Sequence, residues 1–323
     1  MRKTLSVIAV VVSSACMLLS AGATAQSYPS KSVRIVVGFA AGGGVDMSAR
    51  AVGKYLSDTL GQPIVVDNRP GAAGNIAAAH VAKSPPDGHT LLMANSTIST
   101  PGLFVNMPFD VMKDLEPVSL VAIGPSVLAA HPSFPVKTVK ELIALARARP
   151  GQISYGSGGI GNITHLEMEL IASLTGVKME HVPYKGSAPS IIALVSGEVQ
   201  VLFTSIPAAL GQVRAGRIKA IAVSTLKRSS ALPDVPTIDE SALKGYDAAS
   251  WYGLFMPAGA PKNAVAVIAR EVVKIMQAPD IRERFMADGF DPVGLGPDAF
   301  AKYLREEIVK WEKIVRAAGI KPQ

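Results

Sequence analysis

The sequence predicts an α/β fold in which mostly parallel β-sheets are flanked by helices. Two observations support this class. Short apolar segments alternate with amphipathic segments from residue 33 to residue 223, which is typical of parallel strands joined by right-handed helical crossovers. In addition, a unit of strand, glycine-rich loop and helix start occurs twice, near Val33 and near Ile153. A chain of 323 residues is long enough for two lobes.

Residues 1–25 are predicted to be a signal peptide and not part of the fold. Arg2 and Lys3 precede an apolar segment, and Ala23-Thr24-Ala25 fits the small-residue cleavage rule, with cleavage near Ala25. A retained membrane anchor is the alternative, but the apolar segment is short for a span. The only cysteine, Cys16, lies in this leader, so we expect an exported protein without disulfides.

The first strand–loop–helix unit begins with Val33 to Val37, which is apolar except for Arg34 and is typical of a strand covered on both faces. Three glycines follow, Gly42 to Gly44, and then a helical pattern that Gly61 is placed to end. A glycine loop that leads into a helix N-terminus suits an anion. The spacing fits neither a Walker A loop nor G-x-G-x-x-G. A tight turn with glycines for packing is the other interpretation, and this segment alone leaves both open.

The chain then continues the alternation. Strands are predicted at residues 64–66 and 90–93, and a short helix at 75–82. Residues 115–130 are mostly apolar with Pro117 and Pro125, which suggests strands that cross between lobes. Thr138 and Glu141 form a capping box that begins the next helix. The second unit follows, with a strand at residues 153–155, a glycine loop at 156–162 and a helix whose apolar stripe includes Leu166 and Leu170.

The remaining elements are predicted from the same patterns. Strands are expected at residues 180–183, 199–203, 218–223 and 252–256, and helices at 188–196, 207–215, 265–276, 281–286 and from 298 to about 318. In such sheets ligands lie outside the carboxyl ends of the strands, where both glycine loops are placed.

Composition argues for binding and against several other functions. The formal net charge is +7, basic residues are scattered, and aromatic residues make up 6% of the chain, so nucleic-acid binding is poorly supported. His165 and Glu169 could share a helix face as metal ligands, but no further ligand accompanies them. We therefore expect no metal, no cofactor and no enzymatic activity. A serine hydrolase that uses Ser157 with His165 or His181 is an alternative, although Tyr155 stands where the nucleophile elbow needs glycine.

Two polar residues at the helix starts have two interpretations each. Asp46 is favoured by the helix dipole and could also accept a hydrogen bond from a ligand. Asn162 could cap its helix or contact a ligand.

Several motifs resemble the tripartite tricarboxylate transporter receptors, also called Bug-type solute receptors, over essentially the whole mature chain. They are Tyr28-Pro29-Ser30-Lys31, Phe39-x-x-Gly42-Gly43-x-x-Asp46, Asn68-Arg69-Pro70-Gly71, Pro86-Asp87-Gly88-His89, Gly156-Ser157-x-Gly159-x-Gly161, Val182-Pro183-Tyr184-Lys185-Gly186, Leu232-Pro233-Asp234-Val235-Pro236 and Trp251-Tyr252-Gly253.

The resemblance implies a periplasmic two-lobed binding fold of type II with two crossover strands as a hinge. It implies a small organic carboxylate held in the cleft, and delivery to a membrane transporter made of one large and one small integral-membrane subunit. The expected ligand-binding residues are Phe39, Ala41, Gly42, Gly43, Asp46, Asn95, Ser157, Gly161, Asn162, His165, Thr204 and Ser205. The family often has Ser or Thr at Asn162 and an acid at Gln200 and Thr204, so the distal half of the ligand stays open.

We expect a monomer with lobe 1 at residues 26–126 and 226–323 and lobe 2 at 127–225. The hinge is expected near Ser126–Ala130 and Val223–Thr225, and the lobes are expected to close around ligand. An alternative function is a sensor that passes ligand occupancy to a membrane signalling partner.

Overall fold

The computed structural model describes residues 28–103 and 107–317. The predicted signal peptide lies outside this range. The strands are β1 (Val33–Val37), β2 (Ile64–Asn68), β3 (Thr90–Asn95), β4 (Leu115–Gly124), β5 (Ser126–Ala130), β6 (Ser154–Ser157), β7 (Glu180–Pro183), β8 (Val201–Ser205), β9 (Lys219–Val223), β10 (Ser250–Pro257) and β11 (Asp291–Leu295).

Nine of the helices agree with the predicted ones to within a few residues, whereas α3 and α8, of four residues each, were not predicted. They are α1 (Gly44–Leu60), α2 (Asn75–Ala82), α3 (Val111–Asp114), α4 (Val139–Ala148), α5 (Ile163–Thr175), α6 (Ser187–Ser196), α7 (Ile206–Arg214), α8 (Ile238–Ser241), α9 (Lys262–Gln277), α10 (Pro279–Ala287) and α11 (Pro297–Ala317). Short 3₁₀ turns lie at Ala72–Gly74, Ser96–Ser99 and Pro101–Leu103. None of the helices in the described ranges has the length and apolar character needed to cross a bilayer.

The strands form two sheets. The first has six strands in the order β11-β4-β10-β3-β1-β2, and the second has five in the order β7-β6-β8-β5-β9. Helices cover both faces of each sheet, as β1 shows: Ile35 packs into one core cluster and its neighbour Val36 into the cluster on the other face. This is why the β1 sequence is apolar at successive positions. The two-lobed α/β class is confirmed.

The direction of pairing needs one correction, because each sheet is mixed and not mostly parallel. Strand β1 pairs in parallel with β2 and β3, and β6 with β7 and β8. Strands β10, β11 and β5 pair antiparallel with their neighbours. Parallel neighbours need a long crossover within one sheet. Strand β4 in the first sheet and β5 in the second are separated only by Pro125. The chain therefore passes directly from one sheet to the other at this point, without a helical crossover.

Local signals in the sequence account for the helix ends. Helix α1 ends at Gly61, whose φ of 66° is left-handed and suits glycine. Thr138 and Glu141 form the predicted capping box at the start of α4.

The chain crosses between the sheets at Pro125 and returns close to Ser250. Ile238, Tyr246 and Ala248 all belong to the core beside the second sheet, and the Ala248 amide donates to the carbonyl of Ser224 over 2.9 Å. We infer that the return crossing lies just before β10 and not at the expected position near Val223–Thr225.

Helix α11 spans both lobes. Its residues Phe300 and Leu304 pack against the first sheet, whereas Trp311 is buried in the core of the second sheet. The C-terminal helix therefore forms a third connection between the lobes.

Candidate functional site

A cleft lies between the carboxyl ends of β1 and β3 in the first sheet and the ends of β5 and β8 in the second. The space between its lining residues, including the part that is open to solvent, is about 370 Å³. Among the described residues that line it, none has an acidic or basic side chain. The lining residues are Phe39, Gly43, Gly44, Val45, Asn95, Ser126, Gly158, Asn162, Ile163, Thr164, Gly186, Ser187, Ser205, Ser250 and Tyr252.

The first glycine loop, Gly38–Gly43, brings the N-terminus of α1 to this cleft. Gly43 is the N-cap residue, with extended backbone and no side-chain cap. The first amides of a helix have no partner within the helix. Among the described residues, the amides of Gly43, Gly44 and Val45 have no hydrogen-bond acceptor. These three donors are therefore free to hold an anion.

Asp46 supports this loop from behind and does not line the cleft. Its carboxylate accepts hydrogen bonds from the amide of Gly42, Nε of Arg50 and Nδ2 of Asn68, each at 2.9 Å. Burial alone would raise its pKa, but the hydrogen bonds from Arg50, Gly42 and Asn68 outweigh that effect and hold the pKa below the usual range. The carboxylate is fully engaged, so it fixes the loop and is not a free acceptor.

The second glycine loop, Gly158–Asn162, has the same place in its lobe but uses its amides internally. The amide of Gly158 donates to Oγ1 of Thr164 over 2.8 Å, and that of Gly159 donates to Oγ of Ser157 over 3.1 Å. The Gly161 amide donates to Nδ1 of His165 over 3.1 Å.

The helix start after this loop is also capped. Asn162 accepts from the amide of Thr164 over 3.0 Å, as a predicted N-cap. Thr97, which follows β3 in the first lobe, accepts from the Ile163 amide and from Nδ2 of Asn162, both over 3.2 Å. The N-terminus of α5 is thus capped by a side chain from the opposite lobe.

Behind the second loop lies a stack of aromatic rings. The rings of His165 and His181 are 4.0 Å apart and nearly parallel, and Tyr155 stacks on His181 at 4.9 Å. Burial lowers the pKa of His165 to about 4, and burial together with the neighbouring His165 lowers that of His181 to about 3. Oγ of Ser157 lies 2.6 Å from Nε2 of His181.

This serine–histidine contact does not make a usable nucleophile. Ser157 is completely buried and is not among the residues that line the cleft, so a substrate carbonyl has no path to its hydroxyl. Nε2 of His165 lies 4.0 Å from Oε1 of Glu169. No group of three or more His, Cys, Asp or Glu side chains in the described part of the chain is placed to hold a metal ion.

The floor of the cleft is made of hydroxyl groups. Ser126 and Ser205 are directly opposite each other on β5 and β8, and neither hydroxyl has a partner among the described residues. Thr204 also has an unpaired hydroxyl, but neighbours on a strand point to opposite faces, and Thr204 does not line the cleft.

The predicted site residues divide into two groups. The cleft contains Phe39, Gly43, Asn95, Asn162 and Ser205. Ala41, Gly42, Asp46, Ser157, Gly161, His165 and Thr204 are not among the lining residues, and several of them instead support the loops.

Sequence reasoning missed Ser126, Ser250 and Tyr252, which all line the cleft. Ser126 and Ser250 could have been predicted, because both begin strands at the points where the chain crosses between lobes.

The chain is similar to known receptors over nearly its full length. A profile of the family described as "Tripartite tricarboxylate transporter family receptor" matches residues 48–320. Protein BugT of Bordetella pertussis is 34% identical over 99% of both chains. Among solved structures, R. palustris Rpa4515 with adipate has a TM-score of 0.90 at 37% identity, covering 92% of this chain and 100% of that one. MatC from Rhodopseudomonas palustris with bound malate has a TM-score of 0.83 at 33% identity, covering 89% and 100%.

Proposed function

The chain belongs to the tripartite tricarboxylate transporter receptor family, and from this premise we propose that it is a periplasmic receptor for one small organic carboxylate. The ligand is bound in the cleft between the lobes and is delivered to a membrane transporter with one large and one small integral-membrane subunit. The protein acts as a monomer, without cofactor and without catalysis. The leader, residues 1–25, directs export and is removed near Ala25.

The observation that carries this proposal is the open N-terminus of α1. Its first amides line a cleft in which none of the described lining residues is basic, and Asp46 holds the loop in place from behind. Amides that point into a concave site at a helix N-terminus bind anions. A carboxylate is the anion that fits, since the proteins Rpa4515 and MatC are named with adipate and malate.

Magnitudes indicate how the carboxylate is held. A micromolar complex needs about 8 kcal/mol, and one helix terminus supplies at most about 2 kcal/mol in a partly buried setting. Hydrogen bonds to a charged group contribute about 1.5–3 kcal/mol each. Three direct amide bonds from Gly43, Gly44 and Val45 together with the helix dipole reach the required range.

We also propose that the lobes close around the ligand, with the second lobe running from Ser126 to about residue 249. Two hydrogen-bonded contacts join the lobes at the cleft. The Ala40 amide donates to the carbonyl of Lys185 over 3.0 Å, and Thr97 caps α5. A decrease in the radius of gyration on ligand addition, measured by small-angle scattering, would support closure.

The test of the proposed function compares an acid with its matching amide. Mass spectrometry of the small molecule released from purified protein by mild denaturation identifies the first ligand, with adipate and malate as additional probes. Calorimetry then compares each acid with the derivative in which one carboxylate is a primary amide. We expect the amide to lose at least 100-fold in affinity, because it is neutral and carries N–H groups toward amide donors. Equal affinity of acid and amide would refute the carboxylate site.

A further inference from the structure

Two serine hydroxyls in the floor of the cleft have no well-aligned hydrogen-bond partner among the described residues. Ser126 and Ser205 are 1% and 6% exposed, line the cleft, and are paired opposite each other on β5 and β8. Neither Oγ atom makes a well-aligned hydrogen bond among the described residues, although the Glu167 carboxyl lies beside Ser126 and the Tyr252 hydroxyl beside Ser205. Buried polar groups are normally hydrogen-bonded, so two neighbouring unpaired hydroxyls that face one cleft indicate a ligand atom between them.

These hydroxyls stand close to the open helix terminus. A Cβ atom built on Gly44 would lie 2.9 Å from Oγ of Ser205, so the serine is next to the first residue of α1. A ligand whose carboxylate lies on the amides of Gly43 to Val45 therefore places its adjoining carbon atoms beside the serine pair.

The surroundings of the serine pair offer no positive group that could bind a second anionic group of the ligand. None of the described lining residues is basic, and the amides at the start of α5 are already bonded to Thr97 and Asn162. Glu167 is completely buried, and its carboxyl faces the hydroxyls of Ser126 and Ser224, although none of these contacts is a well-aligned hydrogen bond.

Burial raises the pKa of Glu167 well above its usual range. A ligand carboxylate beside Ser126 would itself be desolvated there, with no basic lining residue and no free amide of α5 to compensate its charge. A hydroxyl or carbonyl oxygen carries no charge and avoids this cost.

We propose that Ser126 and Ser205 determine specificity by binding an uncharged oxygen of the ligand, so that the ligand is a hydroxy- or oxo-monocarboxylate. The proposal rests on the proposed function and makes it narrower. The proposed preference for a monocarboxylate differs from what the structures of Rpa4515 and MatC contain, since these are named with the dicarboxylates adipate and malate.

The experiment uses matched acids of four, five and six carbon atoms. For each length, calorimetry compares the unsubstituted monocarboxylate, its hydroxy and oxo derivatives, and the dicarboxylate, on the mature wild-type protein and on Ser205→Ala. We expect a hydroxy or oxo acid to bind best. Ser205→Ala should weaken that acid at least tenfold and change the affinity for the unsubstituted acid less than twofold.

Two controls separate specificity from folding. The Ser205 hydroxyl makes no well-aligned hydrogen bond among the described residues, so Ser205→Ala should change the melting temperature little. Ser119→Ala removes a buried hydroxyl that donates to the carbonyl of Leu295 over 2.8 Å, away from the cleft, and should leave the preference between the acids unchanged.

The outcomes distinguish this inference from the function on which it rests. Tighter binding of the dicarboxylates, or an equal loss of both acid types in Ser205→Ala, overturns the inference and leaves the carboxylate receptor standing. If no acid in the sets binds to the wild type, the inference fails, and the proposed function is decided separately by comparing the released ligand with its amide.

Discussion

The two glycine loops occupy equivalent places in the two lobes, yet their amides are in opposite states. In the first loop the amides of Gly43, Gly44 and Val45 have no acceptor among the described residues. In the second loop, the amides of Gly158, Gly159 and Gly161 all donate to nearby side chains. One loop is therefore open to an anion, and the other forms a closed, rigid wall.

The difference comes from side chains and not from the backbone design. Asp46 takes only the Gly42 amide and is itself held by Arg50 and Asn68. The second loop carries acceptors at Ser157, Thr164 and His165, each within a few residues of the amide that it binds. A strand, glycine loop and helix start thus make an anion site possible, and the neighbouring acceptors decide whether it exists.

The largest effect is expected from Gly44→Ala, which blocks the open loop. A Cβ atom at Gly44 would collide with the hydroxyl of Tyr252 and lie 2.9 Å from Oγ of Ser205. Tyr252 is 1% exposed and packs edge-on against Phe290, so its hydroxyl can move away only if these rings repack. We expect calorimetry to show a loss of at least 100-fold in affinity, about 2.7 kcal/mol.

Two glycines provide matched controls for this substitution. A Cβ at Gly43 would meet no atom closer than 3.7 Å, and one at Gly211 in α7 would meet nothing within 4 Å. Gly43→Ala should therefore cost less than Gly44→Ala, and Gly211→Ala should bind normally. A wild-type affinity in Gly44→Ala would show that the first loop is not the anion site.

Much of the fold could be predicted because its signals are local. The apolar segment of β1, the capping box of α4 and the glycine that ends α1 each depend on residues close in sequence. The direction of the crossover strands could not be read in this way, because pairing between β4 and β10 joins residues more than a hundred positions apart.

The site was harder to predict for the same reason. Asp46 was correctly placed at a helix start, but its carboxylate could be seen as engaged only once Asn68 was brought beside it. Ser126 gains its place from the register of β5 against β8, and Thr97 reaches α5 from the other lobe. Nothing local in the sequence indicates these contacts.

The second prediction is that low pH destabilises the lobe with the second glycine loop, through His165, and leaves the support of the first loop by Asp46 unchanged. The pKa of His165 is about 4 in the folded protein, below its usual value near 6.5, so the unfolded chain binds more protons between these values. Folding stability therefore falls as the pH falls from 7 toward 4. We expect a loss of about 2 kcal/mol from His165 between pH 7 and pH 4.5.

Denaturation by urea at a series of pH values measures this loss. Asn at position 165 can keep an acceptor for the Gly161 amide and does not titrate. His165→Asn should therefore reduce the slope by about half, and the rest should come from the neighbouring His181, whose pKa is about 3. His131→Gln, at a half-buried histidine that contacts Ser133, should retain the slope. The pKa of Asp46 is lowered, so at pH 4.5 the first loop keeps its ionised support. A wild-type slope in His165→Asn would contradict the assignment.

The smallest effect is expected at Thr97, whose hydroxyl closes the second loop from the opposite lobe. Thr97→Val keeps the shape of the side chain but leaves the Ile163 amide and Nδ2 of Asn162 without their acceptor. These donors can turn to water when the lobes open, so only the closed form loses the two bonds. Both are long, at 3.2 Å, and share one acceptor, so we count them together as about one neutral hydrogen bond of 0.5–1.5 kcal/mol. Ligand affinity should therefore fall about three- to tenfold. Thr97→Ser retains the hydroxyl and should bind like the wild type in the same calorimetry. If Thr97→Val instead bound more tightly, the released Ile163 amide would be acting as a second anion donor, and the contrast between the two loops would depend on this one side chain.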